Sequence, residues 1–124
     1  MAKLYLLNAF SLNMIKDRGW VHLNIRELSP ATAREAVEEA KKRGKEVISA
    51  IGHPGTAALV SKILGFEVPA NRVAVAFEDS DEAIVFQLAV RLPEGKVLSE
   101  DELWDLFNKG QIKILHVVYS TKFY

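Results

Sequence analysis

Apolar positions along the chain change their spacing several times, and each change marks an element. Residues 3–9 open with the apolar run Leu4-Tyr5-Leu6-Leu7, of strand length. Residues 20–25 alternate, with Val21, Leu23 and Ile25 on one face and Trp20, His22 and Asn24 on the other, and predict a second strand. Ser29 then offers an N-cap and Pro30 fits the first helical position. Ala33, Ala36, Val37 and Ala40 recur at helical spacing behind it, Glu35, Glu38, Glu39, Lys41, Lys42 and Arg43 fall on the solvated side, and Gly44 stops the helix. From Ile48 the chain reads as a short apolar strand, a tight turn through Gly52-His53, and a helix. That helix begins at Pro54, carries Ala57, Val60 and Leu64, and stops at Gly65.

Pro69 excludes helix from the connection that follows. Residues 72–77 and 84–92 then alternate as strands around the acidic stretch Glu78-Asp79-Ser80-Asp81-Glu82, a pattern that predicts an antiparallel hairpin. In each strand one face is bulky and apolar and the other is small with a cation. If the two pair, the second kind of face becomes a shallow floor carrying Arg72, Gln87 and Arg91. Ser99 and Glu102 make a capping box for a last helix with Leu103, Leu106 and Phe107 on its inner side, ended by Gly110. Residues 111–119 form the final strand, where His116 shares a face with Ile112, Ile114 and Val118 and reads as a core or edge histidine. The fold expected is α/β: one domain over residues 1–124, with a mixed sheet of about five strands flanked by about three helices.

Composition narrows the function classes. No cysteine is present, which excludes disulfides, thiolate metal sites and a cysteine nucleophile. Sixteen basic residues balance sixteen acidic ones, against a protein that coats DNA with uncompensated cations. The mean hydropathy is +0.05, and no apolar run is long enough for a membrane span. With no signal-peptide pattern at the N-terminus, a cytoplasmic protein is expected. His22, His53 and His116 are scattered without metal-ligand spacing, so no metal site is expected.

The candidate chemistry gathers at the start of the second helix. His53 stands at its entry, beside the unpaired backbone N–H groups of Gly55 and Thr56. Those donors and the positive end of the helix dipole suit an anion. Asn8, Ser11 and Asn13, after the first strand, offer uncharged donors and acceptors, with Phe10, Leu12 and Met14 between them as anchors. The plainer account of that stretch is a strand end tied off by local side-chain turns.

Taken together, Asn8-Ala9-Phe10-Ser11-Leu12-Asn13-Met14, Ile51-Gly52-His53, Asn71-Arg72-Val73, Gln87 and Arg91-Leu92-Pro93-Glu94-Gly95-Lys96 resemble the viral anti-CRISPR ring nuclease family and its relatives in cellular type III CRISPR loci. The resemblance runs over almost the whole chain. It implies a homodimer that binds cyclic tetra-adenylate and cuts it, without a metal or other cofactor, to linear di-adenylate ending in a 2′,3′-cyclic phosphate. It implies His53 as the key catalytic residue, assisted by Arg91 and Glu94, with Asn8, Ser11, Asn13, Gly55, Thr56, Arg72 and Gln87 lining the ligand pocket. At Gly55 the chain departs from relatives that carry serine. Two other functions fit the same residues: a protein that binds a cyclic nucleotide without cutting it, and a protein-interaction module that uses the polar strand floor as an interface.

Overall fold

The computed structural model describes residues 2–90 and 98–122. Its sheet is built around β1 (Lys3–Leu7), whose apolar run is buried on both faces. Such a strand needs neighbours on both edges, and it has parallel ones. β3 (Glu46–Ser49) lies on one side, with Lys3 opposite Glu46 and Leu6 opposite Ser49. β4 (Glu82–Leu88) lies on the other, with Leu4 opposite Glu82 and Leu7 opposite Val85. β5 (Ile112–Ser120) runs antiparallel to β4, and β2 (His22–Leu28) antiparallel to β5. The order is β2-β5-β4-β1-β3, a mixed five-stranded sheet as the sequence predicts.

Three helices cover one face: α1 (Pro30–Lys42), α2 (Pro54–Leu64) and α3 (Glu100–Asn108). Ala33, Val37 and Ala40 of α1, Leu59, Val60 and Ile63 of α2 and Leu103 of α3 pack on Leu4, Leu6, Ile84, Phe86 and Ile114. Each fully buried leucine, Leu4 or Leu59 for example, stabilises the fold by roughly 1.5–3 kcal/mol. The caps are local and strong. Thr32 N–H donates to Ser29 Oγ at 3.2 Å and Ser29 N–H to Thr32 Oγ1 at 2.8 Å. Ser99 and Glu102 exchange the same pair of bonds in front of α3.

Among the described residues no α-helix lies on the opposite face. There Tyr5, Leu7, Val85, Val117 and Tyr119 meet Phe10, Met14, Val75 and Phe77. The rings of Tyr5, Phe10 and Tyr119 each lie 5.6 Å from Phe77. The cover is therefore extended chain, pinned by aromatic packing.

This arrangement corrects the expected hairpin. Residues 72–77 do not form a strand, and Phe77 makes only an isolated bridge to Ile15. Both edges of β4 are already taken by β1 and β5, so residues 72–77 cannot pair with it as a hairpin. They cross the face opposite the three helices instead, burying Val75 and Phe77 and leaving Val73 46% exposed. Two smaller corrections follow from the same packing. β2 spans 22–28 rather than 20–25, and Trp20 stands 82% exposed outside it. Leu12, expected as an anchor beside Phe10 and Met14, is 74% exposed. Among the described residues no helix is long and apolar enough to cross a membrane.

Candidate functional site

In an open sheet with parallel strands, ligands bind beyond the strands' carboxyl ends. β1, β3 and β4 all end on the same side. Asn8 follows β1, and Gln87 is the penultimate residue of β4. The chain leaving β3 stays in register for one more residue, since Ala50 N–H donates to Leu6 O at 2.9 Å, and then delivers Gly52 and His53 to the start of α2.

His53 is the N-cap of α2, with φ −121° and ψ 125°. Its side chain makes no capping hydrogen bond and is exposed. Most N-caps use a side-chain oxygen to satisfy the first turn. Here the imidazole is left for other work, and so are the donors of that turn. Pro54 has no N–H, and the first helical bond is the one from Ala57 N–H to His53 O at 3.0 Å. The N–H groups of Gly55 and Thr56 precede it and face the helix's positive end.

Arg72 brings a cation to this turn. Its Nε donates to Gly52 O at 3.0 Å, one of the five N–H donors of its guanidinium. Its stem lies flat on Gly52, where a Cβ would stand 3.2 Å from Arg72 Cγ, so glycine lets the arginine approach. The shallow floor expected from a paired hairpin therefore does not form. Arg72 reaches the His53 turn because residues 69–72 run beside the end of β3, not by pairing with β4, while Gln87 is half-buried at the end of β4.

Gly55 is a second close approach. A Cβ there would lie 3.2 Å from Leu98 O, 3.4 Å from Leu103 Cδ1 and 3.6 Å from Glu100 N. The departure from serine at this position thus accompanies tight packing of α2 against the start of α3. Lys62 of α2 and Glu100 of α3 form an ion pair across the same contact. Arg91 and Glu94 lie outside the described residues.

Ser11 and Asn13 lie on the chain that follows β1, and neither bonds the His53 turn. Ser11 caps a short 3-10 turn (Leu12–Met14), accepting from Asn13 N–H at 3.2 Å, so its hydroxyl is engaged locally, the plainer of the two expectations. Asn13 is exposed. The structure thus brings His53, Gly55, Thr56 and Arg72 to one turn, with Asn8 and Gln87 at neighbouring strand ends.

A brace stands behind that turn that no local pattern in the sequence announces. Asn71 Nδ2 donates to Ser49 O at 2.8 Å and Asn71 N–H to Ile51 O at 2.7 Å, while Ser49 Oγ donates to Pro69 O at 2.6 Å. Pro69 marked the connection as extended, but its partners lie about twenty residues away and have no local signature. Among the described residues no group of three His, Cys, Asp or Glu side chains is placed to hold a metal ion.

A family model described as STIV B116-like matches residues 4–113. The chain is 41% identical to an uncharacterized protein, ORF116, of Acidianus filamentous virus 1, over 57% of this chain and 61% of that protein, so the match spans about three fifths of that relative. It is 33% identical to uncharacterized protein 26 of Sulfolobus islandicus filamentous virus, over 80% of this chain and 79% of the other. Among solved structures, B116 of Sulfolobus turreted icosahedral virus superposes with a TM-score of 0.72 at 36% identity, covering 94% of this chain and 98% of that one.

Proposed function

The chain belongs to the STIV B116-like family, and from that premise we propose that it is a metal-independent ring nuclease that binds cyclic tetra-adenylate and opens it. The observation that supports this most is His53: an exposed imidazole at the head of α2, free of any capping bond, beside backbone donors and the Arg72 guanidinium. That grouping suits a phosphodiester. The motif residues that resemble the ring nucleases name the substrate class.

The reaction uses the ligand's own 2′-hydroxyl as nucleophile. Its oxygen attacks the adjacent phosphorus, the P–O5′ bond breaks, and the 5′-oxygen leaves with a proton while the 2′-proton passes to a base. Binding must hold the 2′-oxygen in line with the leaving oxygen. His53 supplies the proton to that oxygen, a role worth roughly 10²–10⁴-fold in rate. Arg91 stabilises charge on the five-coordinate phosphorus. Glu94 acts on the imidazole or on the 2′-hydroxyl. Two copies related by a two-fold axis suit a ring of even symmetry, each copy cutting one of two opposite phosphates. The relatives are viral, and in a virus the proposed cleavage would serve to evade type III CRISPR immunity inside the infected cell.

The test is incubation with cyclic tetra-adenylate in EDTA, followed by chromatography. Di-adenylate with a cyclic phosphate end is expected. Absence of product under single-turnover conditions refutes the proposal, and binding that leaves the ring intact would instead establish a sequestering protein.

A further inference from the structure

We propose that Asn71 is a positioning residue: it fixes the chain that carries His53, and so sets the imidazole for the cleavage proposed above, on which this inference rests. His53 lacks the usual anchor of a helix N-cap. A capping side chain normally locks itself by bonding the first turn, and His53 makes no such bond. Its placement then depends on residues 49–52, the four that precede it.

Those residues continue β3, an edge strand of the sheet. On the inner side they are held by the bond from Ala50 N–H to Leu6 O, at 2.9 Å. On the outer side residues 69–72 run alongside. Asn71 ties two carbonyls there, Ser49 O through its side-chain amide at 2.8 Å and Ile51 O through its backbone N–H at 2.7 Å. Ser49 Oγ returns the contact by donating to Pro69 O at 2.6 Å. The last rung is Arg72 Nε on Gly52 O.

The rungs differ in how securely they hold. Ser49 and Ile51 are buried and Asn71 is half-buried, whereas Arg72 is exposed. A phosphate arriving at the turn competes for the Arg72 guanidinium and weakens its bond to Gly52. The Asn71 rungs have no such competitor, and they keep the backbone leading into His53 in register. A displacement near 1 Å at a reacting group costs about 10²-fold in rate, so the brace acts on the chemical step more than on binding.

Asn71→Ala and Asn71→Asp separate this role from general stability. The first removes the amide, and the second replaces the donor with a carboxylate facing Ser49 O. Both are expected to bind cyclic tetra-adenylate within about threefold of the parent and to cut it about 10- to 100-fold more slowly in single turnover. Ser29→Ala, which loosens α1 on another part of the molecule, is expected to cut at the parental rate. NMR of the His53 ring gives a readout independent of cleavage: its resonances should shift in both Asn71 variants and stay fixed in Ser29→Ala. Should the parent not cut the ring, the nuclease reading falls and the ring resonances alone decide the brace. Unmoved His53 resonances, or parental cutting by both Asn71 variants, overturn it.

Discussion

The two ends of the central strands treat the same side chain in opposite ways. At the amino end of β4, His116 is 7% exposed and both its ring nitrogens are engaged. Arg26 Nε donates to Nδ1 at 3.2 Å, and Nε2 lies 2.6 Å from Glu82 Oε1, so the proton sits on Nε2. Glu82, 2% exposed, also receives Lys45 and, at 3.0 Å, Arg43. Burial alone would raise the Glu82 carboxyl, but hydrogen bonds from His116 and Lys45 and the charges of Lys45 and Arg43 outweigh it and hold it at about 2. At the carboxyl end, His53 is exposed and bonds nothing in its helix. A histidine whose every valence is satisfied is a fastener. One held in place by its backbone, with its ring uncommitted, is available to a ligand.

Substitutions at each end should keep those consequences apart. His53→Ala should slow ring opening by about 10²–10⁴-fold, with the ring still bound and the unfolding midpoint unchanged. Kinetics and a denaturant titration on one preparation check both halves. A large loss of stability would place His53 with His116 as a fastener. Glu82→Leu should do the reverse. It strands the Lys45 ammonium, whose side chain is 11% exposed, and the buried His116 N–H, and should cost on the order of 3–5 kcal/mol of unfolding free energy. Acid offers a gentler form of the same test. The carboxyl takes a proton at about 4.5 in the unfolded chain and at about 2 in the folded one. Its contribution is therefore complete above pH 5 and fades as pH falls toward 2, a loss of about 3 kcal/mol seen in urea midpoints. Glu82→Leu should lack that part of the pH dependence. The smallest effect belongs far from either end. Ser29→Ala removes one cap and should lower stability by about 1 kcal/mol, read by the same titration.

What could be read from the sequence follows how local each cause is. Ser29-Pro30 and Ser99 with Glu102 announce helices because the cap partners lie three residues away. Pro54 and the glycine at 65 bracket α2 in the same way. The alternation of Arg72-Val73-Ala74-Val75-Ala76-Phe77 looks alike whether the segment pairs into a ladder or lies across a sheet. Only the prior claims of β1 and β5 on the edges of β4 decide between them. Glu82 read as the end of an acidic loop for a related reason, because its partners Lys45 and His116 are 37 and 34 residues distant. In the candidate site, His53, Gly55 and Thr56 were legible from the turn itself. Asn71's part was not, since its partner Ser49 is 22 residues away.

The contact at Gly55 has an evolutionary corollary. With Leu98 O 3.2 Å and Leu103 Cδ1 3.4 Å from where a Cβ would sit, the gap between α2 and the start of α3 is one atom wide. A chain bearing serine at this position must move the Leu98 carbonyl back by a few tenths of an ångström, which trimming Leu103 alone does not do, so the start of its third helix should sit further out.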